Sequence, residues 1–539
     1  MLTGFISPQF RPKHYLGGIA VIVSIIGLYF FSLHAVFSAG ETYSWRDFWQ
    51  DTYLRHVLYF SVWQASLSTA LSVIIGGIFA RALFYQKFYG KSLLLKVLSM
   101  TFILPSLMVI FGLIGIYGAS GWLAKLMHFL HIQWQPTFYG LPGILMANLF
   151  FNVPFAARFF LQSLQSIPSQ QHQLAAQLNI RRWQFIRLIE FPYFKRQLFS
   201  VSVLIFMLCF TGFTIVLTLG GGPKYTTLEV AIYQALMLDF DIAKAAWLAL
   251  LQFILCAFLF AVSHFLAKPA DIAMQHTQSW IATQDRIVKI WQILIITMVS
   301  LFIFMPLLNI VVSACLSDAF FSAWQNPQLW RAIGYSFSIA PISAFLALFM
   351  SIALLLLTRR LYWLQRIGLA DALININMII LAIPTLILAT GLFLLLQRMS
   401  LSNIHLFAIM VCCNALSSMP FVLRVLSYPM NNNMIYYEKL CLSLGISAWT
   451  RWRLIEWHHL AWPMKYAFAL AFSLSLGDFT AIALFGNPQF TSLPYLLYQQ
   501  LGSYRGEQAS VTALILLIVC LIVFCSIERK RNSGLIEKY

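Results

Sequence analysis

The chain has 539 residues, of which 60% are hydrophobic and only 10% charged, with 35 Lys+Arg against 17 Asp+Glu for a formal net charge of +18. Soluble globular chains carry about 25% charged residues, so the composition excludes a water-soluble fold of this length and points to an integral membrane protein. The positive charge does not mark a nucleic-acid binder, because the basic residues fall in short clusters between apolar runs instead of on one solvated face.

A helix crossing the hydrocarbon core needs about 20 mainly apolar residues. Twelve segments qualify, at about 16–37, 57–84, 94–117, 137–161, 198–220, 244–266, 287–315, 333–357, 369–397, 403–427, 464–485 and 510–527. The first follows Arg11 and Lys13 but no small-residue cleavage site ends it, so it reads as an uncleaved span and not a secretory signal. With the N-terminus in the cytoplasm, 27 of the 35 basic residues fall on the cytoplasmic side. The positive-inside rule therefore predicts that both termini are cytoplasmic. The eight cysteines lie mostly in apolar runs and never in a CxxC spacing, which predicts neither a disulfide framework nor a metal site.

An internal repeat organises these spans. Asn152–Val153–Pro154–Phe155 and Arg158 have counterparts 266 residues later in Ser418–Met419–Pro420–Phe421 and Arg424. The same offset pairs Asn179 with Gly445, Trp183 with Trp449, Leu188–Ile189–Glu190 with Leu454–Ile455–Glu456 and Phe213–Thr214 with Phe479–Thr480. The reading is an all-α membrane protein of twelve transmembrane helices in two homologous six-helix halves, 1–270 and 287–539, joined by a cytoplasmic linker at 271–286. An even number of spans per half inserts both halves in the same orientation, which predicts one translocation path between them.

In each half the longest basic cytoplasmic loop lies between the fourth and fifth spans, at 162–197 and 428–463. Pro168 and Ser169 predict a helix start, Leu174, Ala175 and Leu178 an apolar face, and Asn179 a left-handed stop. The second loop repeats the device with Asn433 as cap, Leu440, Cys441 and Leu444 as face and Gly445 as stop. Such short helices are marginal alone, so their apolar side predicts a covering partner.

These residues resemble the E-A-A-x3-G-x9-I-x-L-P pattern of permease subunits of bacterial ATP-binding-cassette importers. The first copy has Gln173-Leu174-Ala175, Asn179 in the glycine position, Ile189 and Phe191-Pro192; the second has Lys439-Leu440-Cys441, Gly445, Ile455 and Trp457-His458. The motif glutamate is missing from both, the glycine from the first and the proline from the second. The resemblance implies that Gln173, Leu174, Ala175, Leu178 and Asn179, with Lys439, Leu440, Cys441, Leu444 and Gly445, couple the chain to an ATP-binding subunit, two copies being expected. It further implies a periplasmic substrate-binding protein and a bacterial inner-membrane location. Phe210 to Leu236 and Ser475 to Arg505 are similar to the fused permeases of importers for thiamine and thiamine pyrophosphate. Ferric-iron permeases share the fused plan, so both substrates stay open.

No enzyme constellation or nucleotide site is expected in this chain. Its only GK[ST], Gly90-Lys91-Ser92, has Tyr85 where a phosphate-cradling loop needs glycine. ATP and Mg are thus assigned to the partner subunit, and the chain itself is expected to bind no cofactor or metal. His458-His459 reads as a solvated or headgroup-facing pair. Asp478 stands in an otherwise uncharged apolar run, where a carboxylate is costly unless it faces partners or a pathway, and it is the candidate pathway residue. An ion-coupled transporter would also show six plus six helices, but it would need several such residues. The loops Gly220–Lys244 and Asn487–Ala509 are read as periplasmic, with Glu229 among their acidic groups.

Overall fold

The computed structural model describes residues 16–40, 45–132, 137–180, 182–266, 285–366, 368–370, 372–373, 385–396, 403–486 and 490–536. The first half begins with α1 (Leu16–Gly40), α2 (Thr52–Tyr85), α3 (Lys91–Met100), α4 (Ser106–Tyr117) and α5 (Leu141–Gln165). It continues with α6 (Ser169–Gln177), α7 (Phe191–Phe210), α8 (Phe213–Leu219), α9 (Leu228–Met237) and α10 (Ile242–Leu266). The second holds α11 (Arg286–Cys315), α12 (Pro327–Trp363), α13 (Thr385–Leu396) and α14 (Asn403–Ser443), then α15 (Trp457–Gly477), α16 (Thr480–Phe485), α17 (Leu493–Gly502) and α18 (Gly506–Ile536).

Among the described residues, 11 helices are long and apolar enough to cross a membrane. The expected span 369–397 falls largely outside the described residues, and its described part is the apolar helix α13. The linker 271–286 lies outside them except for its last two residues.

Three expected spans are interrupted. The segment 94–117 is broken because Pro105 has no N–H and holds Leu104 in extended backbone (φ −69°, ψ 137°), so α4 starts only at Ser106. The fifth span of each half also breaks, between α7 and α8 at Thr211–Gly212 and between α15 and α16 at Asp478–Phe479. Backbone freed inside a membrane must find partners within the protein. Gln64 Nε2 donates to the Cys209 carbonyl (2.8 Å), and Asn148 Nδ2 donates to Ser68 Oγ (3.0 Å) and to Gln64 Oε1 (3.3 Å). In the second half Asn414 Nδ2 donates to Ser475 Oγ (2.9 Å) and to the Ser475 carbonyl (3.3 Å). Asn148 and Asn414, like Cys209 and Ser475, are 266 residues apart, so the breaks and their supports repeat together.

The core lies where α2, α5 and α7 pack on one another and where α12, α14 and α15 do the same. Each half lends its first helix to the other: α1 packs on α12 and α13, and α11 on α4. Glycine permits both crossings. Gly391 lies against Ser32, whose hydroxyl donates to the Leu388 carbonyl (3.1 Å), and Gly115 lies against Asn309. A side chain at either glycine would overlap the facing helix.

Candidate functional site: two exposed loops and a paired break

The first basic loop forms as the residues dictate. Pro168 caps α6, and Asn179 ends it at φ 51° in the left-handed region. The Ile180 N–H donates to the Ala175 carbonyl (2.9 Å) and the Asn179 N–H to the Ala176 carbonyl (3.2 Å), a Schellman closure. In the second loop Gly445 takes φ 64°, and the Ile446 N–H donates to the Cys441 carbonyl (2.9 Å). The expected cap at Asn433 is not formed, because α14 runs unbroken from Asn403 to Ser443. Position 434, which the repeat pairs with Pro168, is methionine, so nothing there interrupts the helix.

The expected apolar face is split. Ala175 and Cys441 are buried, whereas Leu174 and Leu178, and likewise Leu440 and Leu444, point outward. Residues four apart share a helix face, so each leucine pair forms one ridge, continued by Trp183 and Leu188 or by Trp449 and Leu454. Leu178 and Leu444 are 63% and 64% exposed, and Trp183 and Trp449 are 71% and 73% exposed. Gln173, Asn179 and Gly445 are exposed beside these ridges, while the Lys439 side chain lies outside the described residues.

Behind each ridge stands a buried ion pair that composition and spacing did not bring together. Within each loop, the helical segment leading into α7 or α15 contains a π-turn, Ile186–Glu190 and Trp452–Glu456, whose last residue is a buried glutamate. Glu190 accepts from Arg81 Nε (2.7 Å) and from the Tyr85 hydroxyl at the end of α2. Glu456 accepts from Arg359 Nη1 (3.0 Å) at the end of α12 and lies 2.8 Å from Arg451 Nε. The repeated Leu-Ile-Glu was the signal available in the sequence. His172, on the inner face of α6, is buried against the Phe84 and Phe185 rings. Burial holds its imidazole below the ordinary histidine range, with the Glu190 carboxylate pulling the other way. Tyr193 donates to Gln171 Oε1 (3.2 Å); at the repeat-related positions Tyr437 Oη lies 3.3 Å from His459 Nε2. No cluster of three metal-ligating side chains occurs among the described residues.

Asp478 sits at the second break. Its Oδ1 accepts from the Thr480 N–H (3.0 Å), opening α16, while Oδ2 is buried and makes no hydrogen bond. Gly477 before it lies against Pro105 of the other half, 3.1 Å separating an added Cβ from Pro105 Cα. Glu229, expected in an outer loop, is instead buried in α9, because the segment 228–237 folds as an apolar helix packed on α10. Gln252 Nε2 donates to its Oε1 (2.9 Å).

A membrane-embedded helical body with exposed loops in duplicate is the architecture of a transport permease, and residues 72–269 match the family of binding-protein-dependent transport system inner membrane components. The chain is 56% identical over 538 residues to the thiamine transport system permease protein of Haemophilus influenzae, covering 100% of both chains. It is 41% identical to that of Escherichia coli, over 96% of this chain and 97% of that one, and 35% identical to that of Brucella abortus, over 98% and 97%. The chain belongs to this family of inner-membrane transport permeases and is not an enzyme.

Proposed function

We propose that the chain carries thiamine or thiamine phosphates across the inner membrane into the cytoplasm by alternating access, driven by ATP hydrolysed on separate subunits. Two ATPase copies dock on loops 162–197 and 428–463, which face the cytoplasm together with both termini. A soluble substrate-binding protein delivers substrate at the opposite face. ATP and Mg belong to the ATPase, and the permease contributes force transmission and a pathway.

One observation carries this reading: two loops 266 residues apart present the same exposed leucine and tryptophan ridge in a chain with full-length relatives named as thiamine transport permeases. Exposed apolar patches of this kind mark protein docking surfaces. The names of those relatives favour thiamine over ferric iron, and binding-protein-dependent import over ion coupling. Proteoliposomes holding the chain with the ATPase and the binding protein are expected to accumulate labelled thiamine only when ATP is supplied. Uptake by the purified chain under a proton gradient alone would overturn the reading.

A further inference from the structure

Phe213 and Phe479 occupy the same position in the two halves, and their rings stack across the junction with centroids 6.0 Å apart. Tyr233 packs on Phe213 at 5.4 Å, and its counterpart Tyr498 packs on Phe479 at 5.0 Å. These four rings therefore mark the pseudo-twofold axis where the halves meet. The break in each fifth span delivers Phe213 and Phe479 to that axis.

Two carboxylates border this aromatic cluster, one from each half. Asp478 immediately precedes Phe479, and Glu229 lies one helical turn before Tyr233 on α9, on the same helix face. Among the described residues neither belongs to an ion pair, whereas both buried glutamates of the loops are matched by arginines. Unlike the rings, the carboxylates do not repeat: Gly212 stands at the position related to Asp478, and Pro494 at that related to Glu229. Features shared by both halves build the scaffold, so unshared charges at its axis are free to serve the cargo. Carboxylates inside a membrane are costly to retain unless a cation or water compensates them.

We propose that this axis is the recognition site for a cationic heteroaromatic substrate, with the rings of Phe213, Phe479, Tyr233 and Tyr498 against its plane and Asp478 and Glu229 facing its charge. The proposal rests on the thiamine reading above and deepens it, since a thiazolium is a flat, permanently charged ring suited to both aromatic faces and carboxylates.

The test uses the reconstituted complex of permease, ATPase and binding protein, with labelled thiamine as probe. Wild-type uptake is measured first, and its failure would sink the transport reading itself, independently of the site. In assembled complexes, Asp478→Asn is expected to lower thiamine uptake by about tenfold or more, the loss of a buried charge partner for a cation. ATPase stimulation by the liganded binding protein is expected to stay at the wild-type level, and Asp478→Glu to restore part of the uptake. Glu229→Gln is expected to act in the same direction, and it decides the matter if Asp478→Asn does not assemble. Unchanged uptake overturns the proposal. So does a parallel fall of uptake and ATPase stimulation, which would mark a structural role.

Discussion

The Arg359–Glu456 pair is almost fully enclosed, with side chains 3% and 4% exposed, whereas Arg81 in the corresponding pair is 23% exposed. Removing one partner of an enclosed pair leaves an uncompensated charge and costs about 3–5 kcal/mol, and solvent reduces that penalty where it reaches the pair. Glu456→Gln, which strands the enclosed Arg359, is therefore expected to lower the thermal midpoint more than Glu190→Gln, which strands the better-solvated Arg81, as read by differential scanning fluorimetry of the purified chain; equal shifts would contradict the burial argument. His172 adds a pH dependence to the first loop. Its imidazole is held below the ordinary range when α6 is docked, so the docked loop prefers the neutral ring and the released loop binds the proton. Docking is then complete above about pH 6.5 and weakens as pH falls below it. Amide exchange across α6, corrected for intrinsic rates, should accelerate between pH 7.5 and 5.5 in the wild type (about one unit either side of that value) and stay flat in His172→Phe.

At the scale of elements, each loop presents two opposite sides of one helical segment, α6 in the first loop and the end of α14 in the second. Ala175 and Cys441 face the body of the protein, while the leucine ridges face outward. Replacing Leu178 or Leu444 by Asp adds a charge to the exposed ridge without disturbing the buried side. These variants are expected to insert normally yet lose copurification with the ATPase, and a retained complex would count against the ridges as the dock. The π-turns that follow give this arrangement its depth. A π-turn adds a residue to the helical ladder, and here each ends on a glutamate that anchors the loop to the end of α2 or α12. Movement of a docked ATPase would thereby reach the transmembrane helices through an ion pair rather than through loose backbone.

For the whole molecule, the exchanged first helices matter most. Because α1 packs on α12 and α13 and α11 packs on α4, neither half completes its own packing. Residues 1–270 and 271–539 expressed as separate chains are expected to copurify, and Gly391→Val to weaken that association by forcing Ser32 and its helix away from α13. Overpacking of a close helix contact costs about 1–3 kcal/mol, enough to lower the recovered complex several-fold. Undiminished recovery would show that the crossing contributes little to holding the halves together.

Composition alone decided that the chain lives in a membrane, since 10% charged residues cannot cover a soluble surface of this size. Local sequence also decided most span positions, the repeat, and the helix stops at Asn179 and Gly445, because apolar length and left-handed backbone preferences act over neighbouring residues. It was silent on the Arg81–Glu190 and Arg359–Glu456 pairs, whose partners are about a hundred residues apart, 109 in the first case and 97 in the second. It also misplaced Glu229, because a helix of ten residues that follows a Gly-Gly-Gly-Pro run and precedes an acidic Leu-Asp-Phe-Asp stretch reads as a loop until tertiary packing buries it. The exchange of first helices, the splitting of each loop helix into inner and outer faces, and the meeting of Phe213 with Phe479 were left to the tertiary structure. Each depends on which surfaces meet across the two halves, and hydrophobic periodicity along one segment carries no record of its distant neighbour.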